Sequence, residues 1–249
     1  MWKRAEKTAL AAQRRLSTSR DVCLCLFVDG SFESKAEPSG VSVIFRRFRP
    51  GTADHGKLVE MKFHIRDSSG LDNNVVEGIA ILQGVEVAIC ELEEAGDVEA
   101  TAFKVLILTD SKSNLDFIRK GVLSKERDTH HAATNFVFSE ITAATHRLNG
   151  CRGKPSSLEL HWVKAHTNHV DFHTKADERA NDARVLVSAT RCEALVEGVV
   201  PVPCPANVFD RLEDELSDVA AITIVRGEHS TLPFRPFTRA AAPSPEPGR

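Results

Sequence analysis

The chain has 249 residues, enough for one sizeable domain with extensions or for two small domains. Hydrophobic residues make up 42% and charged residues 27%, as in an ordinary soluble globular protein, and no apolar run approaches the length of a membrane span. The formal net charge of −3 excludes a polycation held to nucleic acid by bulk charge, so any such binding must use local basic residues and cations held by an acidic site.

The first twenty residues, MWKRAEKTALAAQRRLSTSR, set Lys3, Arg4, Lys7, Arg14, Arg15 and Arg20 against one acid, Glu6. They are predicted as a flexible basic leader. Two readings stay open: a mitochondrial transit peptide, or a solvated basic tail that brushes nucleic acid. The compartment is accordingly expected to be intracellular, either mitochondrial or nuclear and cytoplasmic. Six scattered cysteines without a CxxC pair read as reduced thiols rather than a disulfide framework.

From Asp21 the texture changes. Val22–Asp29 predicts a buried strand, and Gly40–Phe48 and Leu58–Arg66 alternate apolar and polar residues as half-exposed antiparallel strands do. A helix is predicted from about Asn73, because Val75, Ile79, Leu82, Ile89 and Leu92 form one apolar stripe, and Gly96 stops it. Phe103–Thr109 reads as a strand buried on both faces, Ser111–Lys120 as a short helix and Ala132–Leu148 as an amphipathic one. Leu158–Val163 follows as a strand and Thr174–Ser188 as a closing helix. The order β-β-β-α-β-α-α-β-α implies an α/β domain over residues 21–190, with a five-stranded mixed sheet, three strands antiparallel and then two parallel, flanked by helices. Residues 191–249 form a C-terminal extension, with a short helix expected around Phe209–Val219 and a disordered Pro-rich tail.

Two aspartates share a setting. Asp29 ends an apolar strand in LFVDGS and Asp110 ends one in LILTDS, so each carboxylate is held rigidly at a strand end, where α/β sheets place their sites. Singly, each would be no more than a cap for the next turn. Glu77 lies in the first turn of the Asn73 helix on the side shared with Ile81 and Gly84, where it can face the sheet edge, and Asp177 begins the last helix in KADERANDAR. Converging carboxylates repel one another unless cations join them, and oxygen-rich clusters are how proteins hold Mg²⁺ or Mn²⁺. Two such ions about 3.5–4 Å apart can activate water and stabilise a leaving oxygen in phosphodiester hydrolysis.

In order, FVDGS, NNVVEGIAILQGVEVA, LILTDSKSNLDFIRKG, LHWVKAH and ADERANDAR resemble the type 1 ribonuclease H family over about residues 21–189. The resemblance implies a ribonuclease H-like fold and an endonuclease that cuts the RNA strand of RNA–DNA hybrids with two Mg²⁺ ions, Mn²⁺ substituting. It implies Asp29, Glu77, Asp110 and Asp177 as metal ligands, with Asp182 as the runner-up to Asp177, and His166 as the mobile histidine of proton transfer or product release. Asn73 and Asn74 match the asparagines that contact the nucleic-acid backbone, and Gly30 and Ser31 the small residues that let the strand approach the RNA. The expected partner is nucleic acid, with no membrane and no obligate protein partner, and the chain is expected to be a monomer.

Some residues depart from this pattern. Asp72 stands where the family often has Thr, and an acid there is expected to repel a phosphate. Residues 121–137 offer only Lys125, Arg127 and two histidines in place of a basic handle. His166, His169 and His173 precede the expected helix start, so they read as a loop of polar histidines rather than a zinc site, and Trp162 reads as core rather than a base-stacking platform. A catalytically weak binding module derived from a retroelement is the alternative function. A 3′–5′ exonuclease of the same superfamily is disfavoured because Gly30 and Ser31, not the second acid of an Asp-x-Glu pair, follow Asp29.

Overall fold

The computed structural model describes residues 2–14, 22–48, 51–65, 68, 71–95, 102–120, 129–149, 151–153, 156–165, 170–189, 199–202 and 222–226. Strands β1 (Val22–Ser31), β2 (Ser39–Arg46) and β3 (Leu58–Ile65) make an antiparallel meander, and β4 (Phe103–Thr109) and β5 (Ser156–Trp162) continue the sheet in parallel from β1. This is the expected five-stranded mixed sheet, with boundaries moved by one or two residues.

Helices cover both faces. Helix α2 (Asn73–Glu94) packs on one face beneath α4 (Thr129–Asn149), with the short α3 (Lys112–Lys120) beside them. The opposite face carries α5 (Asp171–Ala189). Strand alternation supplies both layers at once: Leu24, Leu26 and Val28 join the core under α2, while Phe27 joins the core under α5. The apolar stripe on α2 is buried as expected, but so is nearly the whole circumference of the helix, because the sheet and α4 enclose it. Gly84 is what permits the sheet contact: a Cβ there would lie 2.9 Å from a Val28 methyl and 3.1 Å from Ile107.

Strand β2 is pressed against α5 more tightly still. A Cβ on Gly40 would sit 2.0 Å from the Ala180 carbonyl oxygen and 2.6 Å from the Arg184 nitrogen, both backbone atoms that cannot step aside. Two residues on, the Ser42 hydroxyl donates to the Ala176 carbonyl at 2.6 Å. The register between β2 and α5 is thereby fixed one residue from Asp177.

Two expectations for the termini are corrected. The leader is not a loose tail over residues 2–14: it forms helix α1 (Trp2–Arg14), with Ala9 and Ala12 buried against a cluster that includes Phe27, Leu106, Leu108 and Phe172. Small apolar residues three to four apart give it a face to bury, which its basic composition had concealed. In the C-terminal extension, β7 (Ile222–Arg226) pairs antiparallel with β3, and β6 (Val199–Val202) pairs with β7, so the sheet order becomes β5-β4-β1-β2-β3-β7-β6. Pairing with β7 satisfies backbone groups that β3 would otherwise leave open at a sheet edge. The helix expected around Phe209–Val219 and the Pro-rich tail lie outside the described residues.

Helix α1 also reaches the start of α5. The Gln13 side-chain oxygen accepts from the Phe172 backbone nitrogen at 3.0 Å, one of the first-turn donors that has no partner inside its own helix. Replacing Gln13 with Ala should therefore lower stability by about 0.5–1.5 kcal/mol in urea unfolding and speed amide exchange at Phe172. Unchanged exchange there would show that α1 does not hold α5.

Candidate metal centre

The parallel register between β1 and β4 decides where the two strand-end acids meet. Phe27 lies opposite Leu108, so two residues further along each strand Asp29 and Asp110 come side by side. The first turn of α2 is brought to the same point by Gly30, at which a Cβ would lie 3.0 Å from the Glu77 nitrogen and from the Val76 carbonyl group. The result is a triangle in which Asp29, Glu77 and Asp110 each offer a carboxylate oxygen within 4.8 Å of the others.

These side chains are held from behind. The Gly30 nitrogen donates to Asp29 Oδ1 at 3.0 Å, and the Trp162 indole donates to the Asp110 backbone carbonyl at 3.1 Å. Trp162 is thus half-buried and oriented by a polar contact at the site, rather than being plain core. Around the N-terminus of α3, Asn114 Nδ2 donates to Ser111 Oγ at 2.7 Å and to the Asn74 carbonyl at 2.9 Å, while Ser113 Oγ donates to Asn74 Oδ1 at 2.7 Å. The N-termini of α2 and α3 are therefore joined beside the acids, with Asn73 and Asn74 exposed.

Asp177 on α5 is the fourth acid, near enough for its charge to act on both Asp29 and Glu77. Asp182 is turned away. It pairs with Lys62 and Arg179, each at 2.9 Å, beside Glu60, which is itself bound by Lys175 and Arg179. Burial opposes ionisation of Asp182, yet those two cations prevail and hold its carboxyl below the usual range. The angular offset of about 140° between positions five apart on a helix places the two aspartates on different faces.

The electrostatics of the triangle are those of carboxylates without a counter-ion. Burial, then the charge of Asp110, pushes Asp29 up to about 8 against a partial opposing effect of His173. Burial, then Asp29 and Asp110, pushes Glu77 up to about 9. Glu77 Oε2 and Asp110 Oδ1 are buried and have no hydrogen-bond partner among the described residues. Buried, repelling, unsatisfied oxygens on a rigid frame are the donor set that a hard divalent cation requires, so the residues fit Mg²⁺ or Mn²⁺.

Two expectations need revision. His173 is not in a loop: it lies in the first turn of α5, 2% exposed, with Nε2 3.6 Å from Asp110 Oδ2. Burial disfavours its charged form, but Asp110 first, then Asp29 and Asp177, outweigh that and raise its pKa. An expected helix start at Thr174 placed it one residue too early, and the i,i+4 spacing to Asp177 was the signal that would have found it. Asp72 does not present its charge to solvent alone. It N-caps α2, its Oδ1 accepting from the Val75 nitrogen at 2.9 Å, at the helix end where negative charge is favourable. His166 and His169 lie outside the described residues.

Raised carboxyl values make the metal-free protein's stability fall as pH rises. The folded state binds protons at Asp29 and Glu77 that the unfolded state releases near pH 4, so this contribution is complete below about pH 4 and is lost as pH climbs through about 8 to 9. In EDTA, the melting temperature should drop across that interval. Asp29→Asn should flatten the profile and melt higher than wild type at pH 8. A wild-type curve that rises towards pH 8 would contradict the repelling cluster.

A family model and several solved structures match this chain. The family model described as RNase H matches residues 21–185. The chain is similar to the N-terminal RNase H domain of a Mycobacterium tuberculosis protein, solved as a fusion with maltose binding protein, at 21% identity over 69% of this chain and 99% of that one, with a TM-score of 0.46. It is also similar to LC11-RNase H1 isolated from compost by a metagenomic approach, at 19% identity over 66% and 97% with a TM-score of 0.45. RNase H1 from the halophilic archaeon Halobacterium salinarum follows at 16% identity over 65% and 96%, with a TM-score of 0.41. Among curated proteins no relative matches.

Proposed function

The chain belongs to the RNase H family, and from that premise we propose that it is a metal-dependent endonuclease cutting the RNA strand of RNA–DNA hybrids. The observation that carries this reading is the triangle of buried Asp29 and Glu77 with half-buried Asp110, and Asp177 near it on α5. These four carboxylates would hold two Mg²⁺ ions, with Mn²⁺ as a substitute. Cations held there would supply activation of the attacking water and neutralisation of the leaving oxygen.

What the chain's own residues do follows from their placement. The strand ends carrying Asp29 and Asp110 fix the acids before substrate arrives, so little reorganisation is needed when charge develops. Gly30 and Ser31, at the end of β1, and Asn73 and Asn74, at the exposed start of α2, form the surface proposed to follow the RNA backbone and read its 2′-hydroxyls. His166 is proposed to carry a proton or help release product, a task suited to a side chain that titrates near neutrality. The chain is proposed to act as a monomer.

Labelled RNA–DNA hybrid, duplex RNA and duplex DNA, each incubated with Mg²⁺, Mn²⁺ or EDTA, test this directly. Only the hybrid should be cut, and only with a divalent cation. Binding without cutting under all conditions would favour the alternative of a binding module. Asp29→Asn and Asp110→Asn should each reduce hydrolysis by at least about 10³-fold while the fold is kept, a loss of roughly 4 kcal/mol in transition-state stabilisation. Asp177→Asn should be similarly damaging and Asp182→Asn mild. The opposite order for that last pair would place the fourth ligand at Asp182, despite its ion pairs with Lys62 and Arg179.

A further inference from the structure

Asn74 is exposed, yet it is held at two points. Its backbone carbonyl accepts from Asn114 Nδ2 at 2.9 Å, and its side-chain Oδ1 accepts from Ser113 Oγ at 2.7 Å. The two holders differ in what they do. Asn114 is 1% exposed and also gives its Nδ2 to Ser111 Oγ, so it ties the start of α3 to the start of α2 as part of the frame. Ser113 is exposed in the first turn of α3, and its bond reaches a side chain 39 residues earlier.

A hydroxyl–amide bond in contact with water adds little to stability, because water would satisfy both groups in its place. What it fixes is a direction. A carboxamide carries an acceptor oxygen and a donor nitrogen on either side of one carbon, so rotation about its last bond decides which of them faces a ligand. With Oδ1 turned to the Ser113 hydroxyl, Nδ2 points away from Ser113. The backbone of Asn74 is pinned by a separate bond, so neither the residue nor its amide is left to be ordered on binding.

We propose that Ser113 is a positioning residue that sets the Asn74 amide with its NH₂ group outward, as a ready donor to acceptor atoms of a bound nucleic acid. This rests on the reading of Asn74 as part of the substrate surface, and deepens it by naming the group that orients the amide and the end of the amide that is offered.

Steady-state cleavage of a labelled RNA–DNA hybrid by the full chain in Mg²⁺ tests this. Ser113→Ala should raise KM about threefold to tenfold, the worth of one hydrogen bond, with kcat kept within about twofold. Ser113→Thr, which keeps the hydroxyl, should restore KM. Asn74→Ala should raise KM by itself, and adding Ser113→Ala to it should change nothing further, because the serine acts only through that amide. Melting curves of the variants should stay with wild type. An unchanged KM in Ser113→Ala, a threonine that fails to rescue, or effects that add in the double variant would each overturn the role of Ser113 and leave the endonuclease reading standing. Wild type that cuts no hybrid overturns that reading instead. Fluorescence anisotropy of the same labelled hybrid then carries the test: Ser113→Ala should weaken binding by the same factor, and equal affinity overturns the proposal. Wild type that neither cuts nor binds the hybrid overturns both.

Discussion

Three carboxylates held within 4.8 Å of one another are the constraint on which the rest of this structure depends. At an effective dielectric constant near 20, two ionised groups at that range repel by on the order of 3 kcal/mol, a large fraction of the stability of any domain. The chain does not relax this by turning the acids outwards, because each is fixed by its backbone. Asp29 lies near the end of β1 and Asp110 just past β4, each two residues beyond the paired Phe27 and Leu108, and Glu77 is carried to them by a helix lying against Gly30. Protonation of the buried acids is the escape left to the metal-free state. A fold that keeps such an arrangement carries an electrostatic cost that either protonation or a bound cation would relieve.

The contacts behind the acids make sense in that light. The Trp162 indole on the Asp110 carbonyl, the Asn114 bridge between α2 and α3, and the Asp72 cap on α2 all brace backbone rather than touch carboxylates. The same holds for the close fit of Gly40 to α5, which sets the helix bearing His173 and Asp177. Helix α1 and strands β6 and β7 lie outside the 21–185 span matched by the family model. They add to the frame and not to the acids: α1 closes the face beneath the start of α5, and β7 covers the outer edge of β3.

The parts of this that were legible in the sequence are those whose chemistry is local. LFVDGS and LILTDS each combine an apolar strand with a terminal acid, so strand, burial and ligand are read from six residues. Glu77 was legible by helical phase relative to Gly84, whose contact with Val28 and Ile107 confirms which side of α2 faces the sheet. What escaped was non-local or hidden by composition. The inward turn of Asp72 depends on φ and ψ at a helix start, and its charge alone suggested the reverse role. The docking of α1 rests on Ala9 and Ala12, residues too small to stand out among six basic neighbours. Strand β7 is five residues whose pairing partner lies some 160 positions earlier, so no local pattern announces it. His173 was missed because the helix begins at Asp171, three residues before its expected start.

The charge distribution then bears on how such a site would hold a polyanion. The net charge is −3, and several cations around α5 are already engaged: Lys62 and Arg179 by Asp182, and Lys175 by Glu60. The cluster is negative whenever its acids are ionised, and in that form it repels phosphate. Two divalent cations on the four proposed ligands would cancel that negative charge at the point where a scissile phosphate would lie. Cation binding and nucleic-acid binding are on this reading one linked equilibrium, each strengthening the other by the same factor. Asp72 is turned onto the helix end, where it caps α2. On the proposed reading, affinity would then depend on whether the acids are filled.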